Sequence, residues 1–295
     1  MTISILSAVH NEEQYIVEMI ESVQAQSDSN WELIFVPDGC SDNTTTLIEE
    51  QARKDSRIKL DSNRHKIGKV AAFNKAFEQS AGNIIILLAG DDTLPANSLA
   101  VRRSSIDKTS GDAVCYFKLR TQSESSKHDG KVLPKGDASS HSGGTITLSR
   151  SLAQKIFPID PSLVSEDLWL TRSAEAIAHT VSESTDVVLN YRIHPGNSNP
   201  RNQNFKTMSE KMALRHQAWT RLLETQQFSI PNDTRRELTH LAVMERLRHQ
   251  GKVFALLKYC EAPFLDRAAY ISMCNPIAFA IRKQFFAALS GIRGR

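Results

Sequence analysis

Four short apolar runs, Ile3–Val9, Trp31–Val36, Ile58–Leu60 and Ile84–Ala89, alternate with segments of helical period. In the first gap Ile16, Met19, Ile20 and Val23 recur at helical spacing. Leu47 and Ile48 mark a helix around Thr44–Arg53 in the second, and Val70, Phe73 and Phe77 line one face of Lys69–Ser80 in the third. Strands joined by helical crossovers predict an α/β domain, a mostly parallel sheet with helices on both faces. The fourth run, bounded by Gly82 and Gly90, reads as a strand buried on both sides.

Such sheets bind ligands beyond the carboxyl ends of their strands. The loops His10–Glu13, Asp38–Asn43 and Gly90–Thr93 therefore gather at one edge. The last lies in LLAGDDTLP, where a buried strand ends in two adjacent carboxylates, Asp91 and Asp92. Turn and cap chemistry accounts for one of them, with Asp92 or Thr93 capping a helix that begins near Pro95. It leaves the other unexplained, because two acids at a buried tip each make the other costlier to ionise. A divalent cation, Mn2+ or Mg2+, completed by substrate phosphates, answers that. Asp38, in VPDGCSDNTT, stands at the same edge and is placed to accept hydrogen bonds from a nucleobase or ribose. Ser41 and Asp42 read as caps of the next helix.

Beyond residue 111 the pattern changes. Ala113–Leu119 reads as a strand, Thr121–Gly136 as a loop or hairpin, and GGTITLS at 143–149 as another strand. A helix follows near Arg150–Phe157, a second opens at about Ser165 in SEDLWLTRSAEAIAH, and Val187–Ile193 is a last strand ended by HPGNSNP. Ser165 as N-cap with Glu166 and Asp167 in the first turn is ordinary helix-dipole chemistry. After residue 200 the chain is helical. Met208, Met212, Trp219, Leu222 and Leu223 fit one helix; Leu238, Leu241, Ala242 and Glu245 mark the next, capped by Asn232 or Asp233. Two regions are expected, 1–200 and a helical 201–295.

The composition removes several function classes. A formal net charge of +3 over 295 residues gives no case for nucleic-acid binding. Cys40, Cys115, Cys260 and Cys274 show no CxxC spacing and no clustered histidines, so they read as reduced thiols of a cytoplasmic protein. The start, MTISILSAVHNEEQ, lacks the basic region of a signal peptide, and no apolar stretch is long enough to span a bilayer.

ISILSAVHNEEQYIVEMIESVQAQ, WELIFVPDGCSDNT, GKVAAFNKAFEQSAGNIIILLAGDD and SED, in that order and spacing over roughly residues 3 to 195, resemble the family-2 glycosyltransferases of GT-A fold. The resemblance implies that Ala8, His10, Asn11 and Glu12 wrap a nucleotide and that Asp38 contacts its base, with Pro37 replacing a usual acid. It makes Asp91 the metal ligand and Asp92 its helper, with Ala89 where a further acid is usual. Lys69, Asn74, Gly90 and Gly144 fall in the same donor site; Lys66 or Lys69 supplies charge to the diphosphate, since Phe73 stands where many members have Arg. Glu166–Asp167 matches the family's catalytic pair, with Asp167 the base. His194, in YRIH, either completes the metal or is an ordinary hydrogen-bonded histidine. Gly143–Gly144 either admits a sugar close to the backbone or marks a bend.

The resemblance implies an inverting enzyme that moves a sugar from a nucleotide-diphosphate sugar to a saccharide or lipid-linked acceptor, in cell-surface polysaccharide assembly. Ala89 and Phe73 favour a rival, a non-catalytic nucleotide- or sugar-binding module of an assembly complex. A nucleotidyltransferase would need a Gly-rich basic loop after the first strand, and AVHNEEQ has neither Gly nor a basic pair. At the C-terminus, Phe264, Tyr270, Ile277, Phe279, Phe285, Phe286 and Leu289 accompany basic residues at 267, 282, 283, 293 and 295 and the single acid Asp266. They read as a helix packed on the catalytic domain or as a basic amphipathic helix on an anionic membrane, at the inner face of the plasma membrane.

Overall fold

The computed structural model describes residues 1–194, 196–197 and 204–290, with 285–290 described by backbone alone. It divides into two compact units: Met1–His194 with Gln227–Ser229, and the remaining helical residues.

In the first unit, β1 (Ile3–Val9), β2 (Trp31–Pro37), β3 (Ile58–Leu60) and β4 (Ile84–Leu87) alternate with α1 (Ile16–Gln24), α2 (Thr44–Lys54) and α3 (Lys69–Glu78). They lie in the order β3-β2-β1-β4 and every neighbouring pair is parallel. Then follow α4 (Ser98–Asp107), β5 (Ala113–Gln122), β6 (Val132–Leu133), β7 (Ile146–Ser149), α5 (Arg150–Ile156), α6 (Asp167–Ile177) and β8 (Thr180–Arg192). β7 sits between β4 and β5, antiparallel to both; β6 is antiparallel to β5, and β8 returns parallel to it. The sheet is mostly parallel, and its parallel half is the one that the strand–helix alternation predicts.

Burial explains why these runs are strands. Every residue of β2 is buried, which only a sheet covered on both faces permits. Helix α1 closes one face with Ile16, Met19, Ile20 and Val23, all at 0% exposure, and each such side chain contributes about 1.5–3 kcal/mol.

At the amino ends of the strands, away from the loop edge, Glu32 ties three segments together. Its carboxylate accepts from Ser4 Oγ at 2.6 Å, from the Ala81 and Gly82 amides at 2.6 and 3.0 Å, and from Lys59 Nζ at 2.6 Å. Burial works to raise its pKa, but Lys59, Ser4 and the Ala81 amide outweigh it and hold it at about 2.

Several boundaries differ from expectation. Helix α4 starts at Ser98 with Asn97 as N-cap, not near Pro95, because Asp92 and Thr93 are bonded to β8 instead. Gly143–Thr145 is a 3-10 turn and only Ile146–Ser149 is strand. β8 begins at Thr180, seven residues before the expected start, because it pairs along the length of β5. Glu166, not Ser165, is the residue before α6, and Ser165 donates its hydroxyl to Asp167.

The second unit holds α7 (Phe205–Glu224), α8 (Asn232–His249), α9 (Val253–Lys258), α10 (Phe264–Ile271) and α11 (Pro276–Ser290). Pro231 precedes α8, so Asn232 and Asp233 lie inside the helix rather than capping it. The C-terminal segment is two helices, α10 and α11, instead of one, with Ser272–Asn275 between them. Most of HPGNSNP, the basic positions 293 and 295, and the side chains of Phe285, Phe286 and Leu289 lie outside the described residues. The core of this unit is polar at its centre: fully buried Arg248 pairs with Glu245 at 2.6 Å and donates to Ser209 Oγ on α7 at 3.0 Å.

Glu32 gives a direct stability test. A carboxylate whose folded pKa is about 2, against an ordinary 4.5, contributes stability that is present above about pH 4.5 and is lost as pH falls through 2. Glu32→Ala should lower stability at pH 7 by about 1–3 kcal/mol, from the stranded Ser4, Ala81 and Gly82 donors. Urea melts of both proteins across that pH range should converge towards the acid end.

Candidate active site

The acidic strand tip and the end of β8 close on each other as a short antiparallel zipper. Thr93 and Asn190 exchange backbone hydrogen bonds, 3.1 Å from Thr93 N and 2.8 Å from Asn190 N. Two residues further along β8, the Arg192 amide donates to Asp92 Oδ1 at 2.9 Å. Two further still, His194 Nε2 lies 3.0 Å from Asp91 Oδ2. The two acids are thereby separated by role. Asp92 is 4% exposed and turned onto β8. Burial, then Asp91, raise its pKa well above the ordinary carboxylate value, against the opposing Arg192 amide.

Asp92 gives one of its two carboxylate oxygens, Oδ1, to the Arg192 amide. Among the described residues no group of three His, Cys, Asp or Glu is arranged to hold a metal. What the site offers is one carboxylate oxygen and one imidazole nitrogen, Asp91 Oδ2 and His194 Nε2. Such a donor pair fits Mn2+ or Mg2+ completed by diphosphate oxygens and water, and does not fit an ion caged by protein alone.

Arg192 is the residue that sequence reasoning missed. Besides its amide bond to Asp92, it donates Nε to the Asp91 carbonyl at 2.8 Å and pairs with Glu18 on α1 at 2.7 Å. Its guanidinium lies 4.8 Å from the Tyr15 ring centroid, and the same ring packs against His194. Its position at the end of the expected strand, two residues before His194 in YRIH, was the available signal.

The loop after β1 lies against the loop after β2. Asn11, at φ 57°, accepts from the Ser41 amide at 2.8 Å, while Glu13 accepts from the Asn43 amide at 3.0 Å. The Glu12 amide donates to Thr44 Oγ1 at 2.7 Å. Asp42 accepts from the Thr44 amide at 3.0 Å, but the N-cap of α2 is Asn43 rather than Ser41 or Asp42, and Ser41 pairs with Asn11. Ala8 pairs with Val36 in the sheet, and His10 is exposed at the edge. Burial, then Asp91 and Asp42, push the Glu12 carboxyl up to about 8. A Cβ at Gly90 would come within 2.8 Å of Glu12 Cγ, which explains the glycine before Asp91.

Asp38 organises the approach to α3. One oxygen accepts from the Ile67 and Gly68 amides at 2.7 and 2.8 Å, and the other pairs with Lys66 at 3.1 Å. Burial raises its pKa, and the Gly68 amide, Lys66 and the Ile67 amide more than reverse that. The next residue, Lys69, begins α3 and reaches Glu166 Oε1 at 3.0 Å. Desolvation works to lower the Lys69 pKa, but Glu166, then Asp167 and Asp91, raise it overall. Glu166 is buried, and its Oε2 has no hydrogen-bond partner. Asp167 opens α6, accepts from Ser165 Oγ at 2.9 Å and is half-buried.

Asn74 and Gly144, two of the expected donor-site residues, each have packing partners of their own. Asn74 donates to the Ile159 carbonyl at 2.7 Å and accepts from the Ile159 amide at 2.8 Å, so both ends of its amide hold that loop. Gly144 is a glycine because a Cβ would come within 2.7 Å of Leu189, and its carbonyl accepts from buried Arg102 at 2.5 Å.

The profile described as Glycosyl transferase family 2 matches residues 4–155, just over half the chain. The chain belongs to glycosyltransferase family 2. Its relatives include the Escherichia coli UDP-Glc:alpha-D-GlcNAc-diphosphoundecaprenol beta-1,3-glucosyltransferase WfgD, 38% identical over 36% of this chain and 41% of that one. The putative glycosyltransferase EpsH of Bacillus subtilis is 28% identical over 65% of this chain and 61% of its own length. In each case the match covers less than two thirds of the relative. Among solved structures, S. aureus TarS 1-349 in complex with UDP-GlcNAc superposes with a TM-score of 0.63 at 18% identity, over 98% of this chain and 88% of that one. The mannosyltransferase PcManGT from Pyrobaculum calidifontis, in complex with GDP-Man and Mn2+, gives 0.62 at 15%, over 98% and 83%. At those identities the structures establish the GT-A fold.

Glu12 and Asp92 carry predictions for the metal-free protein. A carboxyl raised from 4.5 to about 8 in the fold holds a proton that the unfolded chain releases, so stability falls as pH rises between those values. Glu12→Gln should remove that part of the slope, and its melting temperature in EDTA should gain on wild type as pH climbs to 8. Asp92→Asn, which keeps the acceptor for Arg192, should melt close to wild type at pH 7, whereas Asp92→Ala should cost about 1–3 kcal/mol.

Proposed function

We propose that the chain is an inverting glycosyltransferase that moves a sugar from a nucleotide-diphosphate sugar to a saccharide or lipid-linked acceptor. In this reading it works on the cytoplasmic side of the plasma membrane, in cell-surface polysaccharide assembly. The observation that carries the reading is the pairing of Asp91 with His194 at 3.0 Å, with the Glu166–Asp167 pair joined to the same edge through Lys69. The relatives' names and the solved complexes with UDP-GlcNAc and with GDP-Man and Mn2+ support a nucleotide-sugar donor.

Asp91 and His194 would hold Mn2+ or Mg2+ against the donor diphosphate. A divalent ion there supplies positive charge to the departing diphosphate. The loops around Asn11 and Asp38 form the nucleotide side of the edge. Lys69 keeps the buried Glu166 carboxylate compensated and adds positive charge near Asp91. Asp167 takes the proton from the acceptor hydroxyl as that oxygen forms its bond to the anomeric carbon. The bond from that carbon to the diphosphate breaks on the opposite face, its electron pair leaves with the diphosphate, and configuration inverts, as in inverting glycoside hydrolysis.

The base assignment is tested by Asp167→Asn, expected to slow transfer by ~10²–10⁴-fold while leaving donor binding unchanged. Thermal-shift screening with Mn2+ and UDP-, GDP- or dTDP-sugars identifies the donor for that assay. Near-normal turnover in the variant would remove Asp167 from the mechanism, and a fold that stabilises with none of the donors would count against the reading as a whole.

A further inference from the structure

The densest exposed apolar surface lies on α9, α10 and α11, within the C-terminal unit. Among the described residues, six of the twelve exposed large apolar side chains fall between residues 254 and 281. The four most exposed are among them: Phe254 at 81%, Leu265 at 79%, Ile277 at 74% and Phe264 at 68%. Apolar side chains scattered singly over a surface need no explanation, but a contiguous group marks a binding face. A cleft of about 690 Å³ is lined by Leu257, Phe264, Leu265 and Ile281 with Arg267 and Arg282, and with no acidic side chain; Phe254 and Ile277 stand one helical turn from Leu257 and Ile281.

Charge says what covers it. Residues 252–284 carry five Lys and Arg (252, 258, 267, 282, 283) against Glu261 and Asp266, a surplus of three that equals the net charge of the whole chain, +3. Arg267 donates to the Leu257 carbonyl at 2.7 Å and lies 5.8 Å from the Phe264 ring centroid; no carboxylate of the described residues pairs with it. Its Nε is buried without a partner. Arg282 donates to Ser272 Oγ at 2.8 Å, on the other side of the cleft. Protruding apolar side chains with cations at their rim match an anionic lipid surface, where the hydrocarbon takes the first and lipid phosphates the second. A second copy of the chain fits less well, because a two-fold pairing sets the same basic surplus against itself. No described helix is long and apolar enough to cross a membrane, so the contact is with the surface.

We propose that this face docks on an anionic bilayer surface, with Phe254, Phe264, Leu265 and Ile277 inserted among the acyl chains. The cleft receives part of one chain, and Lys258, Arg267 and Arg282 meet the lipid phosphates. The inference deepens the part of the proposed function that places the enzyme at a membrane. It rests on the C-terminal unit alone, so its failure would leave the transferase reading standing.

The test is flotation of the full chain with vesicles of equal parts phosphatidylglycerol and phosphatidylcholine, and with phosphatidylcholine alone. Retention is expected on the anionic vesicles, weakened by salt, and cut ~tenfold or more in Phe254→Ser/Leu265→Ser. Because both side chains are exposed, the melting temperature of that variant should match wild type, and Lys258→Gln should lower retention on anionic vesicles selectively. Equal retention of wild type and the serine variant would overturn the proposal. So would absence from the anionic vesicles together with a concentration-dependent dimer, in sedimentation velocity, that the serine variant abolishes; that result would assign the face to a second copy.

Discussion

Two adjacent carboxylates at the tip of a buried strand cannot both be left ionised without compensation, and the site is built around that constraint. The end of β8 resolves it. Its Arg192 amide takes Asp92 into the interior, and its His194 ring meets Asp91 at the edge. One acid thus becomes part of the fold while the other is met by an imidazole at the edge. Because β8 reaches this point by pairing in parallel along β5, the second half of the sheet serves the ligand edge of the first.

The same logic of compensated charge extends across the edge. Asp38 fixes the Ile67–Gly68 amides at the start of α3, which sets Lys69 against Glu166. Lys69 is held charged by three acids from two different elements, Glu166 and Asp167 beside α6 and Asp91 beyond β4. Glu12, with no cation of its own, yields instead by keeping its proton. A ligand carrying a diphosphate and a divalent ion would enter an edge where acid and base are already balanced locally, and where Asp91 is the acid whose partner is an imidazole.

Much of this was legible in the sequence, for identifiable reasons. The apolar runs and helix faces of the first half are local patterns, and β1, α1 and β3 fall where those patterns put them. The edge followed from strand direction alone, and the motif order pointed to the family that the profile match establishes. What escaped was long-range. The bond between Asp92 and Arg192 joins residues a hundred positions apart, and no local rule for helix caps could foresee it. The polar alternation of TVSESTD hid the first half of β8, and the partners of Asn74 and Gly144, Ile159 and Leu189, lie far along the chain.

The central claim is that Asp91 and His194, not Asp92, hold a divalent ion that a diphosphate completes. Mn2+ titration followed by electron paramagnetic resonance, with and without UDP, tests it on wild type, Asp91→Asn, His194→Ala and Asp92→Asn. The account predicts tight Mn2+ binding only when UDP is present, strongly weakened in the Asp91 and His194 variants and retained in Asp92→Asn. Equal Mn2+ affinity without nucleotide, or loss of binding in Asp92→Asn with the Asp91 variant intact, would contradict it.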